Sequence, residues 1–157
     1  MTLEELEDRR AITELVHRSA YALDDKDFSA MAACFTEDAT LDHGPEAATP
    51  VLRGRDTIVG LAARTHDGED GGRPRLASHH VGNVVIAFVG PDHAAVDSYV
   101  HTFHALGDGT AGLVWGRWHD EVVRVAERWQ IRARTAYVAG TQNFVAFGHP
   151  VRGAAAR

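Results

Sequence analysis

The stretch Ala111-Gly-Leu-Val-Trp115-Gly-Arg-Trp118-His-Asp120-Glu-Val-Val-Arg-Val125 alternates with a period of two. Val114, Gly116, Trp118 and Asp120 share one face, and Trp115, Arg117, His119 and Glu121 share the other. That is the habit of a long strand whose large aromatics belong mostly to a core. The same reading extends over Leu76 to Phe88, Ala94 to Leu106 and Trp129 to Val138. The separators Gly90-Pro-Asp92, Gly107-Asp-Gly-Thr110 and Ala126-Glu-Arg128 are turn-forming. Four long antiparallel strands are predicted, with Gly82 able to carry a bulge that reverses the facing of the residues around it.

The first half of the chain has a different rhythm. Thr2 and Glu5 stand at capping-box spacing, and Leu3, Leu6, Ile12, Leu15, Val16, Ser19, Ala20 and Leu23 recur at threes and fours, predicting one helix to about Asp24. After the acidic break Asp24-Asp25-Lys26-Asp27, Asp27 is placed to cap a short helix from Phe28 to Phe35. Ala39 to Asp42 and Val51 to Arg53 read as short extended pieces, and Arg55 to Arg64 as a third helix. Helices first and a meander afterwards predict a segregated α+β fold, with 1–145 as a single domain and 146–157 as a partly disordered tail. Thr65 to Pro74, rich in glycine and charge, reads as a mobile surface loop, either a gate over a pocket or an insertion apart from it.

Composition narrows the function. Of 157 residues, 45% are hydrophobic and 24% charged, enough for one core. Sixteen basic residues against 22 acidic ones give a net charge of -6, which leaves no basic surface for nucleic acid. A single cysteine, Cys34, rules out a disulfide and a paired-cysteine zinc site. No His-x-x-x-His or His-Glu-x-x-His spacing occurs, so no metal is expected. No apolar run approaches the roughly 20 residues of a membrane helix, and the acidic start is unlike a secretory leader, so a cytoplasmic setting is expected. Glycine-rich nucleotide motifs and a Gly-x-Ser-x-Gly elbow are missing, which leaves a cofactor-free acid/base site.

The candidates for that site are carboxylates and histidines. Asp24 closes the apolar stripe of the first helix, where it either points inward or ends in solvent. His79 and His80 are strand neighbours, so only one of them enters a pocket, and parity makes His101 and His104 rivals in the same way.

The ordered landmarks Leu23-Asp24-Asp25-Lys26-Asp27-Phe28, Phe35-Thr-Glu-Asp38-Ala39, Gly54-Arg-Asp56, His79-His-Val-Gly-Asn83 and Gly116-Arg-Trp-His-Asp120, followed by Trp129-Gln-Ile131, resemble the SnoaL-like proteins of the nuclear transport factor 2-like superfamily. The resemblance spans about Leu3 to Gly140. It implies a cone of curved, mixed sheet, an α+β barrel closed by N-terminal helices over a deep pocket, and leaves the reaction open because one cone serves many chemistries. Within the superfamily the chain is similar to the branch of scytalone dehydratase and hexachlorocyclohexane dehydrochlorinase, which pairs a helix-end aspartate with a histidine opening the first long strand. Asp24 and His79 match those positions. The match implies that Asp24 orients and charge-stabilises His79, and that His79 takes a proton from a carbon beside a leaving group.

Tyr21, His104, Trp118 and Arg134 are the further residues expected on the substrate side, Trp118 standing where the branch commonly has tyrosine. For Arg134 an outer strand face is the competing placement. The implied activity is that of a cofactor-independent dehydratase-like lyase or isomerase. Its substrate would be a small hydrophobic, hydroxylated or ketonic ring compound of the polyketide, steroid or xenobiotic kind. The rivals are a non-catalytic hydrophobic-ligand-binding protein, a polyketide cyclase and an epoxide hydrolase; the last needs Asp97 and Arg117 inward, against strand parity. A broad face carrying Tyr99, Phe103, Trp115 and Arg132 implies a homodimer.

Overall fold

The computed structural model describes residues 2–45, 47–66, 76–105 and 109–143. Thr2 caps helix α1 (Leu3–Asp24), its hydroxyl accepting from the Glu5 backbone N–H at 3.1 Å, and Glu4 and Glu5 complement the helix dipole in the first turn. The apolar stripe turns Ile12, Leu15, Val16, Ser19 and Ala20 into the core. Asp27 caps α2 (Phe28–Ala33) by accepting from Ala30 N–H at 2.9 Å, after a turn in which Lys26 takes a positive φ of 57°.

Here the chain departs from expectation. Strand β1 (Phe35–Asp42) begins four residues earlier than predicted and shortens the helix before it. The cause is a long-range pairing: Ile131 N–H donates to the Cys34 carbonyl at 2.8 Å, and Phe35 lies opposite Ile131 in a parallel ladder, buried. Tertiary pairing overrides local helix preference. Strand β2 (Leu52–Arg53) and helix α3 (Arg55–His66) follow, α3 reaching two residues past the predicted end.

Strands β3 (Leu76–Gly90), β4 (His93–Ala105), β5 (Ala111–Val125) and β6 (Arg128–Gln142) form the antiparallel meander. The sheet order is β2-β1-β6-β5-β4-β3, antiparallel except where β1 joins β6. The architecture is α+β, with helices on the concave face of a curved mixed sheet. It is not a closed barrel: among the described residues β2 and β3 are the sheet's two edges, so helices rather than strand pairing cover the opening. Arg9 donates to the Ile86 carbonyl of edge strand β3 at 3.1 Å, tying helix α1 to that edge.

Bulges on β3 and β6, three of which bear on the site, decide which side chains enter the concave face. Between Gly82 and Val85 strand β3 gains a residue, with Asn83 at φ 52°, so His79 and Val81 point inward before it and Val84, Ile86 and Phe88 after it. On β6, Ile131 pairs with Val122 and Ala133 with Glu121, leaving Arg132 as the extra residue. Counting in twos from Trp129 and Ile131 would turn Arg134 outward; the bulge turns it inward. The third bulge lies opposite Trp115 and Gly116.

No described helix is long and apolar enough to cross a membrane. The predicted tail 146–157 and most of the predicted loop Thr65 to Pro74 lie outside the described residues.

Gly116 is the tightest point of the sheet: a Cβ there would stand 1.8 Å from the Tyr137 carbonyl oxygen. Gly116→Ala is therefore expected to cost at least about 2 kcal/mol. Gly82→Ala, with nothing within 4 Å of the added carbon, should shift stability by no more than about 1 kcal/mol. Urea unfolding of both variants checks the contrast.

Candidate active site

Helix α1 ends at the mouth of the sheet, and the last residue of its apolar stripe turns toward β3. Asp24 Oδ1 lies 2.5 Å from His79 Nδ1, and Asp24 Oδ2 accepts from the His79 backbone N–H at 2.7 Å. Both carboxylate oxygens are thus committed to one residue. Because Oδ1 only accepts, Nδ1 carries the hydrogen and Nε2 of the neutral ring is a lone pair. His80 points the other way, against Phe103 and Ser78 on the outer face.

Beyond His79 lies a cavity of about 110 Å³, walled by Leu23, Phe35, His79, Thr102, Trp118 and Arg134 among others. It is well below the roughly 300–1,000 Å³ of most ligand pockets and closer to the approximately 150 Å³ that holds benzene. The expectation of a deep pocket is corrected to that of a small one, because Phe35, Met31 and Trp118 occupy the space. A larger depression of about 600 Å³ lies outside α1 and α2, lined by charged residues and Trp129. It contains none of the buried histidines, so the small cavity is where the chemistry collects.

Of the other predicted residues, Trp118 and Arg134 line this cavity, with the Arg134 guanidinium 3.8 Å from the Trp118 ring centre and Trp118 6.0 Å from the His79 ring. Arg134 is engaged from behind: its Nε and Nη2 donate to the two Asp120 oxygens at 2.7 Å each, and Nη2 also to Ser19 Oγ at 3.1 Å. His104 is buried, 6.3 Å ring to ring from His79, while His101 is exposed on the outer face. Burial above all, then the neighbouring imidazoles His79 and His66, push the His104 pKa down to about 4.

Tyr21 is placed elsewhere. It is 71% exposed and borders the outer depression, because it follows the buried pair Ser19 and Ala20 by too few residues to return to the inner side of α1. Asp97 and Arg117 also face outward, paired with His119 and Tyr99.

Sequence reasoning left out Asp120, Ser19, His43 and His66. Asp120 shares a face with Trp118, so strand alternation located it, but only the bulge at Arg132 gives it an arginine. His66 stands past the predicted end of α3, and its ring lies 6.4 Å from His79.

His104 makes stability depend on pH. Its folded pKa of about 4 lies below the unfolded value of 6.5, so between the two the unfolded chain binds a proton that the folded chain does not. Stability should therefore be complete above pH 6.5 and fall toward pH 4, by on the order of 3 kcal/mol for this group. Urea unfolding at pH 7 and pH 4.5 should show a smaller loss in His104→Gln than in the parent chain.

The geometry can be set beside known proteins. A protein of Novosphingobium aromaticivorans provisionally assigned as a scytalone dehydratase superposes with a TM-score of 0.81 at 28% identity, covering 98% of this chain and 99% of that one. A second protein of that organism, provisionally assigned as an aromatic ring hydroxylase, gives 0.73 at 27% identity, with 83% and 87% covered. The type 3 hexachlorocyclohexane dehydrochlorinase of Novosphingobium barchaimii gives 0.78 at 18% identity, with 96% and 99% covered, a likeness of fold. No curated protein matches the chain. The SnoaL-like domain matches residues 4–135, which takes in α1 with Asp24, the histidine strands and Arg134, and the chain belongs to that family.

Proposed function

We propose that the chain is a cofactor-independent acid/base enzyme, a dehydratase-like lyase or an isomerase, acting on a small hydrophobic ring compound that carries a hydroxyl or ketone. The observation that carries this reading is the Asp24–His79 contact at 2.5 Å, with His79 on the wall of a small, mostly apolar cavity. The SnoaL-like membership and the fold shared with a dehydrochlorinase support chemistry of this class.

In the lyase form, His79 Nε2 removes a proton from a carbon next to the one bearing the leaving group. The C–H electron pair becomes the new C=C bond as the C–O bond breaks, and the imidazolium returns its proton to the departing oxygen, so that water is lost overall. Asp24 holds the ring in the tautomer that leaves Nε2 bare and stabilises the positive charge that His79 acquires. Arg134, kept in the wall by Asp120, offers a positive charge to an oxygen on which electron density builds. In the isomerase form the proton goes back to a different carbon.

The expected result is a loss of roughly 10²–10⁴ in kcat for His79→Ala, with the fold retained. Asp24→Asn should also be slow, since the amide supports neither the tautomer nor the charge. Hydroxylated and ketonic single-ring compounds, followed by mass spectrometry for loss of water or by loss of deuterium at exchangeable carbons, provide the assay. Undiminished turnover in His79→Ala would place the base elsewhere.

The small size of the cavity favours a second reading, a protein that binds such a ring and releases it unchanged. Compounds that bind and are recovered intact, undeuterated in heavy water, would select it. For assembly, we read the exposed face bearing Tyr99, Phe103 and Tyr137 as the contact of a homodimer. Sedimentation at micromolar concentration should give twice the 17.0 kDa chain mass.

A further inference from the structure

The proposed reaction supplies a base but no neutral group to hold the substrate oxygen beside it. Among the described residues of the cavity wall two carry a hydroxyl, Tyr137 and Thr102. Tyr137 is half exposed, whereas Thr102 is buried on the concave face of β4 between Val100 and His104. Strand pairing sets its distance from the base. Thr102 stands directly opposite His79 in the antiparallel ladder of β3 and β4, on the side of the Gly82 bulge where the register is unbroken. Side chains paired in this way have their Cβ atoms about 5 Å apart. Both residues line the same cavity.

The Thr102 hydroxyl is also uncommitted. Thr13, Thr36 and Thr65 each donate their hydroxyl hydrogen to a nearby oxygen, whereas Thr102 makes no side-chain hydrogen bond with a described residue. A buried hydroxyl without a partner is unfavourable, and on a cavity wall it is a donor for what enters the cavity. Chemistry fixes where that donor is useful. In the lyase form the carbon that gives up its proton is bonded to the carbon that bears the oxygen, so a group holding that oxygen must be a neighbour of the base. Thr102 meets this condition by register. Arg134 comes from β6, with β5 and β4 between it and the strand of His79.

We propose that Thr102 Oγ1 donates its hydrogen to the oxygen substituent of a ring compound seated against His79, so that the site selects an oxygen over a methyl group of similar size at that position. A hydroxyl or ketone oxygen accepts the hydrogen, whereas a methyl group leaves the threonine unpaired. This deepens the preceding section and rests on its reading of the cavity as the substrate site; Thr102 binds substrate and His79 moves the proton.

The test is a binding measurement with phenol and toluene at pH 7, followed by NMR of the His79 ring signals in the whole chain. Thr102→Val keeps the shape and strand preference of the side chain while removing the hydroxyl. The phenol-to-toluene affinity ratio should be about three- to tenfold higher in the parent chain than in Thr102→Val, the range expected for one neutral hydrogen bond. Thr102→Ser, which keeps the donor, should retain most of the preference. Thr141→Val removes a buried hydroxyl from the same cross-strand row, His79, Thr102, Val114 and Thr141, but outside the cavity wall, and should leave the ratio unchanged. An equal ratio in the parent and Thr102→Val, or an equal fall in Thr141→Val, would overturn the proposal. No phenol binding by the parent, or binding that leaves the His79 ring signals unmoved, would overturn it together with the reading of the cavity as the site. Turnover is not needed, so this preference and the lyase fail separately. Full activity in His79→Ala would remove the lyase with this preference intact, and an unchanged ratio in Thr102→Val would remove the preference with the lyase intact.

Discussion

Asp24 spends both carboxylate oxygens on His79, one on the ring and one on the backbone. This double contact joins the end of α1 to the start of β3, elements whose contacting residues are 55 positions apart in the chain. It sets the direction in which the helix meets the edge strand, and it sets the imidazole tautomer. Shielded from water, the pair interacts more strongly than it would at the surface. Three further rings surround it, those of His66, His104 and Trp118, each with its centre 6.0–6.4 Å from that of His79. Burial lowers the pKa of His66 and His104, which favours the neutral form of both rings.

A buried ion pair holds another part of the cavity wall. Arg134 and Asp120 are both enclosed, joined by two hydrogen bonds, and the guanidinium lies over the Trp118 ring. Such a pair contributes little net stability, because desolvation offsets most of its attraction, and breaking it by removing one partner costs about 3–5 kcal/mol. Its consequence is geometric: a positive group is fixed in an apolar cavity without leaving an uncompensated charge. Ser19 extends the network to α1, so the helix that carries Asp24 also touches the arginine wall. Both walls of the candidate site are therefore referred to one helix.

The outer face of the sheet has a different economy of contacts. His119 with Asp97, Arg117 with Tyr99, and Glu121 with His93 and Arg132 are side-chain pairs at the surface, where water screens each of them. The Arg132–Glu121 contact holds the Glu121 carboxyl below its usual pKa. These pairs solubilise the face on which Tyr99, Phe103 and Tyr137 stand exposed.

Periodicity by itself determined the helices, the four long strands and the α+β order, because a period of 3.6 or 2 is a local property set by backbone geometry. It also placed Trp118 and Asp120 on one face and ended the apolar stripe of α1 at Asp24. Resemblance picked His79 over His80 where parity was silent. The tertiary structure decided what depends on distant partners. Phe35 left its helix for a parallel ladder with Ile131, and the single extra residue Arg132 turned Arg134 from the outer face to the inner one. The sheet stayed open, and the cavity came out small because side chains from seven separate elements converge on it. A bulge, a register and a void volume are properties of pairings between segments far apart in the chain, so no local pattern encodes them.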